Sequence, residues 1–466
     1  MVNKFRGKKI LIMGLGLHGG GVAVTKWFLK RGARLTITDI KTGAQLKPSL
    51  DKLKKVSGFS LIKFSLAGHQ ADDFLDQDLV VQNPGVPADS PFLQIARQHQ
   101  TPIVNEAVLF FGLFKGPVVG VTGTRGKSTT ATLIHQLLSS QIKNNVLAGN
   151  IATTPMLSVL DRLSAKTWPV LELSSWHLEN LDEYHVSPKI AVVTNVLVDH
   201  LNRYKNLAAY RQAKFAITKW QKPTDLVVLN YDNIHTRNFA KKTKACVYWF
   251  SLQNKVKGAY LKNQQIYFND GRHTENILGI DQLKVKGQHN IANVLAAVTV
   301  AKLLKVPTAN IAKVLGKFRG IPFRLQYEGR QRGVNIYNDA TSTTPDAAIA
   351  AIQALAGQKI LLLAGGVDKE LDYKNLARQI KKQVSFVVLL SGSGSQKLLG
   401  ELKKVKYPFK QIVADVKSLD KAWQIARRQS GINCILFSPA AASFNMFIHE
   451  FDRAKTFSRI IHGQKK

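Results

Sequence analysis

Residues 119–130 read VGVTGTRGKSTT, in which glycines, a lysine and a run of hydroxyls stand directly behind a short apolar segment. Glycines let backbone N–H groups approach a ligand closely, a lysine adds a mobile positive charge, and a Ser or Thr hydroxyl suits a divalent cation. Together these fit the phosphates of a nucleoside triphosphate, with Lys127 on the phosphates and Ser128 on Mg²⁺. The strict pattern G-x-x-x-x-G-K-[ST] is not met, because Val121 takes the place of its first glycine. A tight turn with an incidental lysine is the alternative. It does not account for a G-K-S that both follows a strand and opens a helix.

Further along, two side chains could hold metal. Glu172 ends an apolar run (VLELSSWHLE, 170–179), and a carboxylate at the end of a buried strand is expensive to bury unless a cation or donors meet it. His200 follows the strand-like run 190–195 and so takes an equivalent place. A third feature lies near the N-terminus. Residues 14–20 (GLGLHGG) have the form G-x-G-x-x-G, with Asp39 closing the next apolar run, the arrangement that holds a diphosphate with the acid on a ribose. Nothing later resembles a hydride-transfer site, so the expected ligand is a diphosphate other than NAD. Asn83, in the turn NPGVP, also stands at a strand end, where open α/β sheets place ligands.

These residues need elements to position them. Residues 118–121 suit a buried strand, and 128–138 (STTATLIHQLL) carry apolar residues at helical spacing, so the lysine sits on a strand-to-helix turn. Residues 8–13 predict a strand, 22–29 a helix and 34–38 a second strand; 79–81 and 226–230 predict further strands. Residues 247–282 read as short strands with polar turns, followed by a helix from about 287 to 304. In the last third, strands at 335–338, 359–363, 386–390 and 434–437 alternate with helices such as 419–428, a parallel-sheet pattern with Asp339, Asp368, Lys369, Ser391, Ser438 and Ser443 near strand ends. The expected fold is α/β in three domains. Residues 1–105 form a Rossmann-like domain, 106–319 a central P-loop-type, mostly parallel sheet, and 320–466 a second Rossmann-like parallel sheet.

Composition agrees. The chain has 466 residues, 45% hydrophobic and 21% charged, enough for about three globular domains. Two cysteines, Cys246 and Cys434, cannot form a disulfide framework, the N-terminal stretch lacks the apolar core of a signal peptide, and no apolar run is long enough to span a bilayer. The cytoplasm is the expected compartment. The odd global feature is charge: 66 Lys plus Arg against 30 Asp plus Glu give +36. That field attracts polyanions, yet the lysines are scattered in pairs such as Lys54-Lys55 and Lys381-Lys382, with no basic tail, aromatic-interleaved stripe or zinc-finger spacing. A solvated basic surface is expected, and no nucleic-acid partner. The rival of a different class, a nucleic-acid-associated P-loop ATPase, explains neither Glu172 nor His200.

Taken in order, TGTRGKST (122–129), ELSSWHLE (172–179), TNV (194–196) with DHLNRY (199–204), GQHN (287–290), ND (338–339) and SPAAASF (438–444) resemble the Mur ligases, specifically the branch that adds D-glutamate. The resemblance covers essentially the whole chain. It implies an ATP-dependent amide-forming ligase acting in peptidoglycan precursor synthesis. ATP phosphorylates the alanine carboxylate of UDP-N-acetylmuramoyl-L-alanine, and the D-glutamate amine attacks the acyl phosphate. It further implies that Thr122, Gly123, Thr124, Gly126 and Lys127 hold the phosphates, with Ser128 or Thr129, Glu172 and His200 on magnesium. Lys214 falls where the family has a carbamylated lysine. Asn290, Asn293, Arg324 and Asp339 are matched to adenine, ribose and phosphate. Gly14, Leu15, Gly16, Asp39, Asn83 and Asn150 are matched to the UDP-sugar, and Thr343, Lys369, Ser443 and Phe444, with Phe451 nearby, to the amino acid. Domain closure would bring the amino-acid site to the acyl phosphate, and a monomer is expected.

The chain departs from the family in three places. Thr341 stands where members usually carry a lysine beside the amino-acid site; the family's H-R-x-E reads Phe323-Arg324-Leu325-Gln326; and Glu450 matches a covering aromatic, with Phe451 one step off. The first departure motivates an alternative, a sister ligase that adds a different amino acid.

Overall fold

Ile10, Leu11, Ile12 and Met13 are all buried, because the strand they form is covered on both faces, as parallel strands are. The structure is a computed structural model that describes residues 2–463 other than 18, 88, 152, 153, 200–202, 286 and 445. Among the described residues three sheets form. The first contains β1 (Lys9–Met13), β2 (Arg34–Asp39), β3 (Lys63–Leu66), β4 (Leu79–Gln82) and β5 (Ile103–Val104), in the order β3-β2-β1-β4-β5 and parallel throughout. Chain order reverses between β1 and β4, so that end of the sheet is a crevice-forming switch point. Met13 pairs with both Thr38 and Gln82, which delivers the 14–20 turn, Asp39 and Asn83 to the same end.

The second sheet contains β6 (Val119–Thr122), β7 (Leu147–Gly149), β8 (Val170–Glu172), β9 (Ile190–Val193), β10 (Leu226–Asn230), β11 (Cys246–Ser251), β12 (Gly258–Lys262), β13 (Gln265–Asn269) and β14 (Thr274–Gly279). Its order is β14-β13-β12-β11-β10-β9-β6-β8-β7, parallel from β7 to β12 and antiparallel over β12, β13 and β14. Val121 pairs with Glu172, Thr122 with Val193 and Gly149 with Glu172. The carboxyl ends of four neighbouring strands therefore meet where the glycine loop begins.

The third sheet contains β15 (Gln326–Gln331), β16 (Val334–Asn338), β17 (Ile360–Ala364), β18 (Val384–Leu390), β19 (Ile412–Val416) and β20 (Cys434–Phe437), in the order β15-β16-β20-β17-β18-β19. Only β15 runs antiparallel, at the edge. Alternate residues serve opposite cores: Leu362, Leu389 and Leu436 pack on one face, Leu361, Leu390 and Phe437 on the other.

The chain divides into two compact units. One comprises residues 1–282 and 292–315 and carries the first two sheets; the other comprises 283–291 and 316–466 and carries the third. Among the described residues no helix is long and apolar enough to cross a membrane.

Candidate active site

Thr122 ends β6, Gly126 caps the helix Lys127–Ser139, and Lys127 is that helix's first residue. Only glycine fits the two bends between them. Gly123 has φ 149° and a Cβ there would lie 1.9 Å from Thr194 Oγ1; Gly126 has φ 84° and its Cβ would lie 2.2 Å from Asn293 Oδ1. Asn195 clamps the peptide between them, accepting from Arg125 N at 2.9 Å and donating to Arg125 O at 3.2 Å, while Thr194 Oγ1 donates to the same carbonyl at 2.6 Å. Thr124 Oγ1 accepts from Leu197 N at 2.9 Å. Lys127 Nζ folds over its own loop, donating to the carbonyls of Gly123 (3.1 Å) and Thr124 (3.2 Å). Ser128 and Thr129 lie on the first turn, and Thr130 Oγ1 donates to Asn293 Oδ1 at 3.2 Å. Asn290 stands about one turn before Asn293 on the helix Gln288–Leu303.

Glu172, at the end of β8, is 2% exposed. Its Oε1 accepts from Asn150 Nδ2 at 3.1 Å, and its Oε2 is buried without a hydrogen-bond partner. A buried carboxylate oxygen in that state is what a cation would satisfy. The rest of ELSSWHLE is structural: Ser174 and His177 form a capping box on the helix Ser175–Glu183, and Glu179 binds Arg203 at 2.8 Å and the Tyr204 hydroxyl. Burial pushes His177 down to about 4, so it serves as a neutral cap.

Lys214 is not a surface residue. It is 1% exposed, lies 4.6 Å over the Tyr210 ring, and donates to Gly123 O at 2.9 Å. Burial, then the charge of Lys127, pushes its amine well below the usual lysine range. Arg125 reaches Asp199 at 2.8 Å on the neighbouring loop.

In the first sheet, Asp39 is 4% exposed; its carboxylate accepts from Gly16 N at 3.0 Å and Lys41 N at 2.9 Å. Asn83 Nδ2 donates to Gly14 O, so the acid and the amide hold the glycine turn from opposite sides. Leu15 is buried beneath it.

The second unit gathers its own set. Asp339 is buried; its Oδ1 accepts from Leu325 N at 2.9 Å and its Oδ2 from Ser438 Oγ at 2.7 Å. Burial pushes its carboxyl up to about 6, against the pull of the Ser342 and Ser438 hydroxyls, Leu325 N and the Arg324 charge. Arg324 is exposed, between Phe323 (φ 64°) and Leu325 (φ 45°). Thr341 is 7% exposed and its Oγ1 donates to Phe323 O at 2.7 Å. Lys369 Nζ donates to Thr343 Oγ1 at 3.1 Å, Ser443 Oγ is buried without a hydrogen-bond partner, and Phe444 is 60% exposed.

Comparison with known families matches residues 8–105 to the Mur ligase MurD-like N-terminal domain, 121–301 to the Mur ligase middle domain and 323–440 to the Mur ligase glutamate ligase domain. A UDP-N-acetylmuramoylalanine–D-glutamate ligase of Roseiflexus is 38% identical over 98% of this chain and 99% of its own. The chain belongs to the Mur ligase family. Another relative, the ligase of the same name from Lactococcus lactis, is 34% identical over 100% of this chain and 99% of its own. Among solved structures, the UDP-N-acetylmuramate-alanine ligase of Thermotoga maritima superposes with a TM-score of 0.64 at 23% identity, covering 98% of this chain and 100% of that one. A second ligase of the same organism, solved with ADP, reaches 0.56 at 18% identity, covering 100% and 97%. These two share the fold of this Mur ligase.

His200 lies outside the described residues. Among those described, no group of three or more His, Cys, Asp and Glu side chains is placed to hold a metal ion. Thr194, Asn195 and Asp199 stand within the motifs TNV and DHLNRY, and their side chains bind Arg125 in the glycine loop of this Mur ligase. Arg453, which no motif marks, is 1% exposed; its trace in the sequence is an arginine sharing the i, i+4, i+8 stripe with Phe457 and Ile461.

Proposed function

We propose that this Mur ligase is an ATP-dependent enzyme that joins D-glutamate to UDP-N-acetylmuramoyl-L-alanine in peptidoglycan precursor synthesis. The observation that carries the reading is the 38% identity to a ligase of that name over 98% of the chain. In the reaction the γ-phosphoryl group of ATP passes to an oxygen of the alanine carboxylate, leaving ADP. The amine of D-glutamate then attacks the acyl carbon, loses a proton, and expels phosphate with the bonding pair as the amide forms. Positioning and charge neutralisation carry most of such a reaction.

In this reading Thr122, Gly123, Thr124, Gly126 and Lys127 cradle the phosphates. Mg²⁺ fits the residues present: Glu172 offers a buried oxygen without a partner, Ser128 or Thr129 offers a hydroxyl, and phosphate oxygens suit the remaining positions. His200 is assigned to the same role. The metal would neutralise charge on the transferring phosphoryl group. Lys214, whose buried amine keeps its lone pair more readily than an exposed lysine, would react with CO₂ to give a carbamate beside Gly123. Asn290, Asn293, Arg324 and Asp339 are assigned to the nucleoside and its phosphates. The turn Gly14, Leu15 and Gly16, with Asp39, Asn83 and Asn150, is assigned to the UDP-sugar. Thr343, Lys369, Ser443 and Phe444 are assigned to the amino acid, whose carboxylates need cationic or hydroxyl partners. We assign the enzyme to the cytoplasm as a monomer; its two free cysteines, Cys246 and Cys434, suit a reducing compartment.

Thr341 favours a second reading, a sister ligase with another amino acid. Its hydroxyl is engaged with Phe323 O, and it brings no charge to the loop that carries Thr343. A panel of amino acids, each with ATP, Mg²⁺ and the UDP-sugar in a phosphate-release assay, separates the two. D-glutamate alone should support release, and Lys127→Ala should abolish it. Release with a different amino acid establishes the sister ligase, and turnover surviving Lys127→Ala removes the phosphate-loop assignment.

A further inference from the structure

Arg453 heads the largest fully buried side chains, and none of the roles assigned above uses it. It sits on the buried face of the helix Glu450–Ile461, beside Ala454, Phe457 and Ile461. Its guanidinium donates from Nε (3.2 Å) and from one terminal nitrogen (2.8 Å) to Ala340 O, and from the other (3.1 Å) to Ala441 O. All of these hydrogen bonds go to main-chain carbonyls. Burial pushes the group down to about 10, with the charges of Glu450 and Asp339 opposing, so it remains a cation at neutral pH.

A buried cation is costly, and an apolar side chain of similar volume would pack at this place without that cost. What the arginine achieves is visible in its two acceptors. Ala340 lies between Asp339 and Thr341, on the loop that continues to Thr343; Ala441 lies on the loop from Ser438 to Ser443. One planar fork therefore ties the two segments that carry the amino-acid candidates. A main-chain contact joins the same segments, and Tyr373 holds the second of them. Ala440 N donates to Ser342 O at 3.0 Å, the Tyr373 hydroxyl donates to Ala440 O at 3.1 Å, and Ala440 is held at φ 59°. A non-glycine residue at that angle persists only where its surroundings over-determine it. Among the described residues, the one buried side-chain polar atom on these segments without a hydrogen-bond partner is Ser443 Oγ, on a residue 2% exposed.

We propose that Arg453 is a positioning residue for the incoming amino acid: it fixes the 339–343 segment against the 438–443 segment and so sets the placement of Thr343 and Ser443, without itself touching substrate. This rests on the ligase reading. A brace that serves only folding would lower stability and leave the kinetic constants of the remaining folded enzyme unchanged.

The test uses full-length Arg453→Lys and Arg453→Ala with whichever amino acid the wild type accepts, measuring kcat, KM for each of the three substrates, and the thermal midpoint. Arg453→Ala should raise KM for the amino acid by about tenfold or more while KM for ATP and the UDP-sugar changes by less than about twofold, and added guanidinium should restore part of the loss. Arg453→Lys, which can meet only part of the fork, should fall between, and it supplies the same split if the alanine variant does not fold. An unchanged amino-acid KM in both folded variants, or a parallel change in all three KM values, overturns the proposal. A wild type that accepts no amino acid removes the ligase reading and this inference with it, an outcome distinct from failure of the variants alone.

Discussion

Lys214 Nζ donates to Gly123 O at 2.9 Å, so a buried amine on the helix Leu207–Lys219 touches the backbone of the glycine loop between Thr122 and Lys127. Because burial holds that amine well below the usual lysine range, a larger fraction of it is unprotonated near neutral pH and can add CO₂. Bicarbonate should raise the phosphate-release rate of wild type freed of CO₂. Lys214→Ala should lose about 100-fold in kcat and no longer respond to bicarbonate. A bicarbonate response that persists in Lys214→Ala removes the carbamate from the account.

Glu172 Oε2 is buried without a hydrogen-bond partner, a cost that a bound cation would relieve. Glu172→Gln should match or exceed the wild-type thermal midpoint without ligands. It should lose most of the stabilisation that Mg²⁺ with ATP gives the wild type, together with turnover. Equal stabilisation of both proteins by Mg²⁺ with ATP would place the metal elsewhere.

At Gly126 a methyl group would meet Asn293 Oδ1 at 2.2 Å, in a backbone conformation unfavourable to alanine. Gly126→Ala should cost about 1–3 kcal/mol of stability and severely weaken ATP binding. Adding Asn293→Ala removes the collision but not the backbone strain, so the double variant should be more stable than additivity of the two single changes gives. Plain additivity in denaturant unfolding contradicts the close approach.

Glu106 opens the helix Glu106–Leu113 and accepts from Leu157 N at 2.9 Å; burial pushes its carboxyl up to about 7. With the folded value raised, the stabilisation from its neutral form is fully present below the ordinary glutamate pKa of about 4.3 and is lost as pH rises through about 7. The full difference is about 4 kcal/mol. Between about pH 4.5 and pH 7 the wild-type stability should fall more steeply with pH than that of Glu106→Gln, which keeps an acceptor for Leu157 N, and above about pH 8 the two slopes should converge. Identical slopes would mean that the carboxylate ionises in the folded chain as freely as in the unfolded one.

Legibility in the sequence followed the range of the interactions. β1, β6, β10 and β17 were readable because apolar runs and flanking turns are local signals, and the phosphate loop because strand, glycines and helix are contiguous. β5 has two residues, β7 has three, and β15 is the polar edge strand QYEGRQ; each is set by its neighbours in the sheet and had no local signature. The site divided in the same way. The place of Lys127 at the start of a helix behind a strand was evident from its turn. The burial of Lys214 depends on a loop 91 residues away, the hydroxyl on Asp339 comes from 99 residues away, and the fork of Arg453 reaches 113 residues back. None of these pairings leaves a periodicity to read.

The most direct measurement is the mass of the UDP-sugar after incubation of the wild type with ATP, Mg²⁺, UDP-N-acetylmuramoyl-L-alanine and D-glutamate. The account predicts a product heavier by one glutamyl residue, with one phosphate released per amide formed and none when either substrate is omitted. An unchanged UDP-sugar, or ATP hydrolysis that proceeds without it, would contradict the account.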